Sequence, residues 1–155
     1  MTDDVERDAD AEDWRDNLVE DASEAIRLLG EARRIAVLGI KAEDRAGQPA
    51  YYVPEYLKKA GYEIVPVPVY YPDREEILEE TCCFKVADVP GELDMVVVFR
   101  RPKDIPPHVD DLIAARPKVV WFQLGIRNDA AAERLARAGI KVVQDRCTMV
   151  DHRLV

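Results

Sequence analysis

Eight basic side chains stand on or near the ends of short apolar runs: Lys41, Arg45, Arg74, Arg100, Arg101, Lys103, Arg127 and Arg146. On a chain with a formal net charge of −9, that grouping suits a ligand carrying several negative charges. Residues that could do covalent or acid–base work are scarce. Ser23 is the single serine and lies in a helical stretch, which argues against a Ser-His-Asp hydrolase. His108 and His152 are the only histidines, and each reads as a surface or capping residue. Cys147 leaves an apolar run and could serve as a thiol nucleophile, but no histidine is predictably beside it, so it reads as packing. Adjacent Cys82 and Cys83 have neither a disulfide framework nor a metal-ligand spacing. The pattern is a binding edge with no evident acid, base, nucleophile or metal site.

The elements that must hold this edge begin with Ile35-Ala36-Val37-Leu38, a branched apolar run of the kind buried on both faces of a parallel sheet. Gly39 ends it. A polar loop from Lys41 to Gln48 leads to Pro49, a favourable first helical residue, and Tyr52, Val53, Tyr56 and Leu57 then recur at helical spacing up to the stop at Gly61. Tyr62 to Val67 returns as a strand, completing a βαβ unit. Gly39 would let the backbone approach a ligand closely, with the N–H groups of the next helix favouring an anion. A branched side chain there is expected to block binding while disturbing the fold less than a core deletion would. The full G-x-G-x-x-G fingerprint is absent, as is any P-loop. NAD is disfavoured because Val67-Pro68-Val69 offers no carboxylate for a ribose.

Further runs at Asp94–Phe99, Val119–Phe122 and Ile140–Val143 read as strands, with helices over Asp104–Ala115 and Asp129–Ala138, the latter capped by Asn128. A leading helix is expected from Asp13-Trp14 to Gly30, and a short acidic helix from Asp73 to Glu80. The alternation specifies an α/β, Rossmann-like, open and mainly parallel five-stranded sheet with helices on both faces. Residues 1–16 hold eight acidic and two basic side chains, so residues 1–13 read as an acidic, mobile tail before a single domain, 14–155. The remainder is too mildly charged for nucleic acid. With no long apolar run and no leader, neither membrane insertion nor export is expected, and the cytoplasm is the expected location.

Read in order, certain motifs resemble the small stand-alone CoA-binding proteins, whose Rossmann-like domain also occurs in the succinyl-CoA synthetase alpha subunit and in ADP-forming acyl-CoA synthetases. They are Ile35–Gly39, Tyr56-Leu57 with Gly61-Tyr62, Val65-Pro66-Val67, Asp94–Pro102, Val120–Ile126 and Asp145-Arg146-Cys147. The resemblance implies coenzyme A as cofactor, with its phosphates at Gly39, Ile40 and Lys41 and its adenine by Pro68, Val69 and Tyr70. It places Arg100, Arg101, Pro102, Gln123 and Gly125 along the ligand, and Arg45 joins them from the basic rim. The family's usual Pro-Val-Asn-Pro is replaced here by Pro66-Val67-Pro68-Val69, which removes an asparagine donor and acceptor. The expected function is binding of CoA or an acyl-CoA without catalysis. Alternatives are an acyl-CoA-using transferase or hydrolase served by Cys147 or a partner chain, and an interaction module that has lost the ligand. A homo-oligomer or a partner enzyme stays open.

Overall fold

The structure, a computed structural model, describes residues 13–155. The expected tail therefore lies outside the described residues, apart from Asp13. Among the described residues, strands β1 (Leu18–Val19), β2 (Arg34–Leu38), β3 (Glu63–Val67), β4 (Glu76–Ile77), β5 (Glu80–Thr81), β6 (Met95–Val98), β7 (Val119–Phe122) and β8 (Lys141–Val143) alternate with five α-helices. These are α1 (Ala22–Glu31), α2 (Pro49–Lys59), α3 (Val109–Ala115), α4 (Asp129–Arg137) and α5 (Thr148–His152). Six strands form one parallel sheet in the order β1-β8-β7-β6-β2-β3, so the sheet has six strands where five were expected.

Strand alternation divides the core into two layers. Ala36, Leu38, Val65, Val96, Val98, Val120 and Phe122 face α3 and α4, packing on Val109, Leu112, Ala132 and Leu135. Ile35, Val37, Ile64, Met95, Val97 and Trp121 face α1 and α2, against Ala25, Leu29, Val53 and Leu57. With helices on both faces, the central strands β6 and β7 are apolar and buried along their whole length.

The extra strand corrects the expected leading helix. Trp14–Asn17 is a single 3-10 turn, with the buried Trp14 ring flanked at 4.6 Å by both Arg15 and Arg137. Asn17 Nδ2 donates to Ala136 O at 2.9 Å, and Leu18-Val19 then pairs with Val142-Val143. The backbone of β8 would otherwise be an open edge. The helix starts only at Asp21, whose carboxylate accepts from Glu24 N–H, and it runs through Gly30. Asp21-Ala22-Ser23-Glu24 resembles a capping box and is the signal that marks the true start.

The expected acidic helix at Asp73–Glu80 is instead the hairpin β4–β5, turning through Leu78 and Glu79 at φ 56° and 62°. Such a two-residue turn normally requires glycine or asparagine. Here tertiary contacts hold it: Glu43 accepts from Leu78 N–H at 2.9 Å, Lys58 donates to Leu78 O, and Ile77 and Leu78 are buried. The expected Asp104–Ala115 helix is divided into 3-10 turns at Pro102–Asp104 and Pro106–His108 before α3, because Pro106-Pro107 supplies no N–H.

The chain leaves β2 for β3 on one side, then crosses back to β6 on the other. The carboxyl ends of β2 and β6 therefore flank a topological switch point. Gly39 sits there at φ +87°, and a Cβ on it would lie 2.3 Å from Phe99 O. Its N–H donates to Val67 O at 2.9 Å. Glycine is thus a requirement of the fold itself. Gly39→Ala should cost about 3 kcal/mol from backbone strain and overpacking. That corresponds to a fall in melting temperature of roughly 10 °C. Gly47→Ala meets nothing within 4 Å and should change stability by less than ~0.5 kcal/mol. Thermal unfolding of the two variants without ligand is the measurement.

Candidate functional site

The loops after β2, β6, β7 and β8 rise around a cleft of about 520 Å³ at the switch point. One wall is the start of α2, from Gln48 to Val53. Phe99 to Pro102, Gln123 to Ile126 and Cys147 complete the lining. Pro49 occupies the first turn of α2, and Gln48 makes no side-chain cap, which leaves that turn's N–H groups without a capping side chain.

Several of the expected residues meet here. Arg100, Arg101, Pro102, Gln123 and Gly125 line the cleft. Lys41 and Tyr70 gather beside it at Arg100. The Lys41 ammonium lies 4.0 Å from the Tyr70 ring centroid, and the Arg100 guanidinium lies 5.4 Å from it. Arg100 donates from Nη1 to the Tyr70 hydroxyl at 2.9 Å and from Nε to His108 Nε2 at 3.2 Å. The second bond requires a neutral imidazole. Burial, reinforced by the Arg100 charge, pushes the His108 pKa down and favours that form.

The other expected residues have different surroundings. Gly39 and Ile40 are buried beneath the edge and do not line the cleft. Pro68 is buried and Val69 packs into the core, leaving Tyr70 as the exposed residue of that loop. Arg45 extends from the exposed turn Glu43–Arg45, also outside the lining. Of the wider basic group, Arg74 pairs with Glu43, Arg127 with Glu20 and Asp129, and Arg146 with the buried Asp151 through two hydrogen bonds. Lys41 and Arg100 are the cations that converge on Tyr70.

Sequence reasoning missed the apolar wall: Tyr52, Val53, Phe99, Leu124 and Ile126. The helical spacing of Tyr52 and Val53 was legible, but which turn of α2 would face the sheet edge was not. Gln123 has a second duty. Its buried amide sits 3.1 Å from Cys147 Sγ, and its Oε1 accepts from Thr148 N–H and Oγ1 at 3.3 and 3.1 Å. The amide thereby fastens β7 to the start of α5.

The candidate nucleophiles lack bases. His108 is engaged by Arg100, and His152 Nδ1 lies 2.9 Å from the Tyr56 hydroxyl, among residues at the amino end of the sheet. Burial pushes the Cys82 thiol up to about 11 and raises Cys83 as well. Among the described residues no cluster of metal-ligating side chains occurs, and no helix is long and apolar enough to cross a membrane.

Donation from Arg100 stabilises the Tyr70 phenolate and lowers its pKa from the usual 10.0. Tyr70 should therefore ionise first as pH rises towards 10, and Arg100→Ala should move that ionisation to higher pH. Ultraviolet phenolate titration, with Tyr70→Phe identifying the signal, measures the change.

A family model described as CoA binding domain matches residues 33–153. A protein of Bacillus subtilis (strain 168), "Uncharacterized protein YneT", is 32% identical over 130 residues, spanning 84% of this chain and 93% of that protein. Among solved structures, cell-free ID.343 from Thermus thermophilus superposes with a TM-score of 0.79 at 36% identity, covering 86% of this chain and 98% of the other. The fold alone is shared with the dinucleotide forming acetyl-coenzyme A synthetase 1 of Ca. Korarchaeum cryptofilum (TM-score 0.60, 21% identity, 70% of this chain, 25% of the other). The match spans every central strand and every loop around the cleft, and this chain belongs to the CoA binding domain family.

Proposed function

We propose that the protein binds coenzyme A or an acyl-CoA along the carboxyl edge of its sheet and carries out no reaction of its own. The observation that carries this reading is the meeting of the Lys41–Tyr70–Arg100 group with the 520 Å³ cleft, in a chain of this family. CoA has a polyanionic nucleotide end and a long thiol-bearing arm. The edge offers two cations beside the first turn of α2, and then a cleft into which an arm can extend. Lys41 and Arg100 attract the phosphates, and the positive end of the α2 dipole favours the same charge. The Pro68-Val69-Tyr70 loop borders the nucleotide end. The non-catalytic reading is supported by histidines engaged elsewhere and by a Cys147 Sγ that meets an amide rather than an imidazole. Cys147 does stand in the cleft wall, which favours thiol chemistry as the second reading.

The test is a melting series with CoA, 3′-dephospho-CoA, ATP and NAD at matched ionic strength. At 100 times its dissociation constant a ligand adds about 2.7 kcal/mol, which raises the melting temperature of a domain this size by roughly 5–10 °C. CoA should give the largest shift, dephospho-CoA a smaller one and NAD almost none. Lys41→Ala should weaken CoA binding and flatten its salt dependence. An NAD shift equal to that of CoA would sink the assignment. Hydrolysis of acetyl-CoA that disappears in Cys147→Ala would replace the non-catalytic reading with the second.

A further inference from the structure

The cleft beyond Arg100 is drier than a pantetheine arm alone requires. Gln123 has both amide atoms engaged by Cys147 and Thr148. Gly125 N–H donates to Asp145 Oδ1 at 2.7 Å, and Ile126 N–H to Gln123 O at 2.9 Å. The Gln123 amide and the Gly125 and Ile126 N–H groups of this wall are thus already engaged within the protein. Pantetheine carries two amides and a hydroxyl, and burying such groups unpaired is costly. A hydrocarbon chain loses nothing there. Two of the large apolar side chains left exposed by the fold, Tyr52 at 37% and Leu124 at 65%, line this same cleft, one from α2 and one from the loop after β7. Its volume falls within the ~300–1,000 Å³ of pockets that enclose small organic ligands.

We infer that the ligand is an acyl-CoA whose acyl chain is apolar, seated between Tyr52 and Leu124, with the amides of the arm at the hydrated rim by Gln48 and Arg101. This rests on the CoA reading above and names the class of ligand at that site. The continuity of the cleft with the Lys41–Arg100 group gives the chain its entry point, since the thiol lies at the far end of the arm from the phosphates. Ligand preference then follows chain length, because each methylene brought out of water contributes a similar increment.

Calorimetric titration of the full chain with CoA, acetyl-CoA, butyryl-CoA and hexanoyl-CoA tests this. Affinity should rise about three- to fourfold per methylene, the equivalent of ~0.8 kcal/mol, so that butyryl-CoA binds about tenfold tighter than acetyl-CoA. Leu124→Ser should flatten that dependence. Leu154→Ser, an equally exposed leucine outside the cleft, should keep it. Equal affinity for CoA, acetyl-CoA and hexanoyl-CoA overturns the acyl assignment and leaves the CoA reading standing. A chain-length dependence that survives Leu124→Ser also overturns it, by placing the chain elsewhere. If none of the four binds, the CoA reading itself falls.

Discussion

The close approach of Gly39 to Phe99 O sets the geometry of the whole carboxyl edge. β2 and β6 are neighbours in register, with Leu38 opposite Val98, and their next residues must diverge to opposite faces of the sheet. Phe99 N–H donates to Leu38 O at 2.8 Å, and Gly39 N–H to Val67 O at 2.9 Å, so β6, β2 and β3 remain tied just where the chain turns away. Only a residue without Cβ fits in that turn. The cleft exists because β2 and β6 part there, and Lys41 and Arg100 reach the same Tyr70 ring because both follow that parting.

Hydrogen bonding then divides the edge into two regions. On the side of β3, Lys41 and Arg100 converge on one aromatic ring, and His108 holds the guanidinium from behind as a neutral acceptor. On the side of β7 and β8, internal bonds absorb the amides: Thr148 N–H donates to Gln123, Gly125 N–H to Asp145, and Asn128 N–H to Gln144. A charged region and a dry region follow from where backbone groups find partners. The exposed ion pairs elsewhere, such as Arg27 with Glu31 or Arg134 with Asp110, contribute little to stability.

The hairpin β4–β5 shows how far tertiary contacts can override local preference. Two consecutive non-glycine residues take left-handed backbone because Glu43 and Lys58 grip Leu78 from the loop before α2 and from α2 itself. The segment after β3 is thereby bound to the segment after β2. Tyr71 adds a bond to Asp44 at 3.1 Å, close to the loop that presents Tyr70. Tyr70 reaches Lys41 and Arg100 from a loop anchored in this way.

Periodicity and glycine placement in the sequence were enough to determine the alternation of strands and helices, five of the six strands of the parallel sheet and the cap at Asn128. Each of these depends on local chemistry: apolar runs that must be buried on two faces, and turns that need glycine or proline. The tertiary structure alone decided that Leu18-Val19 joins the sheet, since a two-residue strand has no periodicity and is defined by the open edge it covers. It alone decided that residues 76–81 turn as a hairpin. It also separated the basic side chains held by carboxylates, such as Arg146 by Asp151, from Lys41 and Arg100, which converge on Tyr70. Charge is written in the sequence, but the partner of a charge is set by distance across the fold. The apolar wall of Tyr52, Phe99, Leu124 and Ile126 comes from three segments far apart in the chain, and only their packing brings it into being.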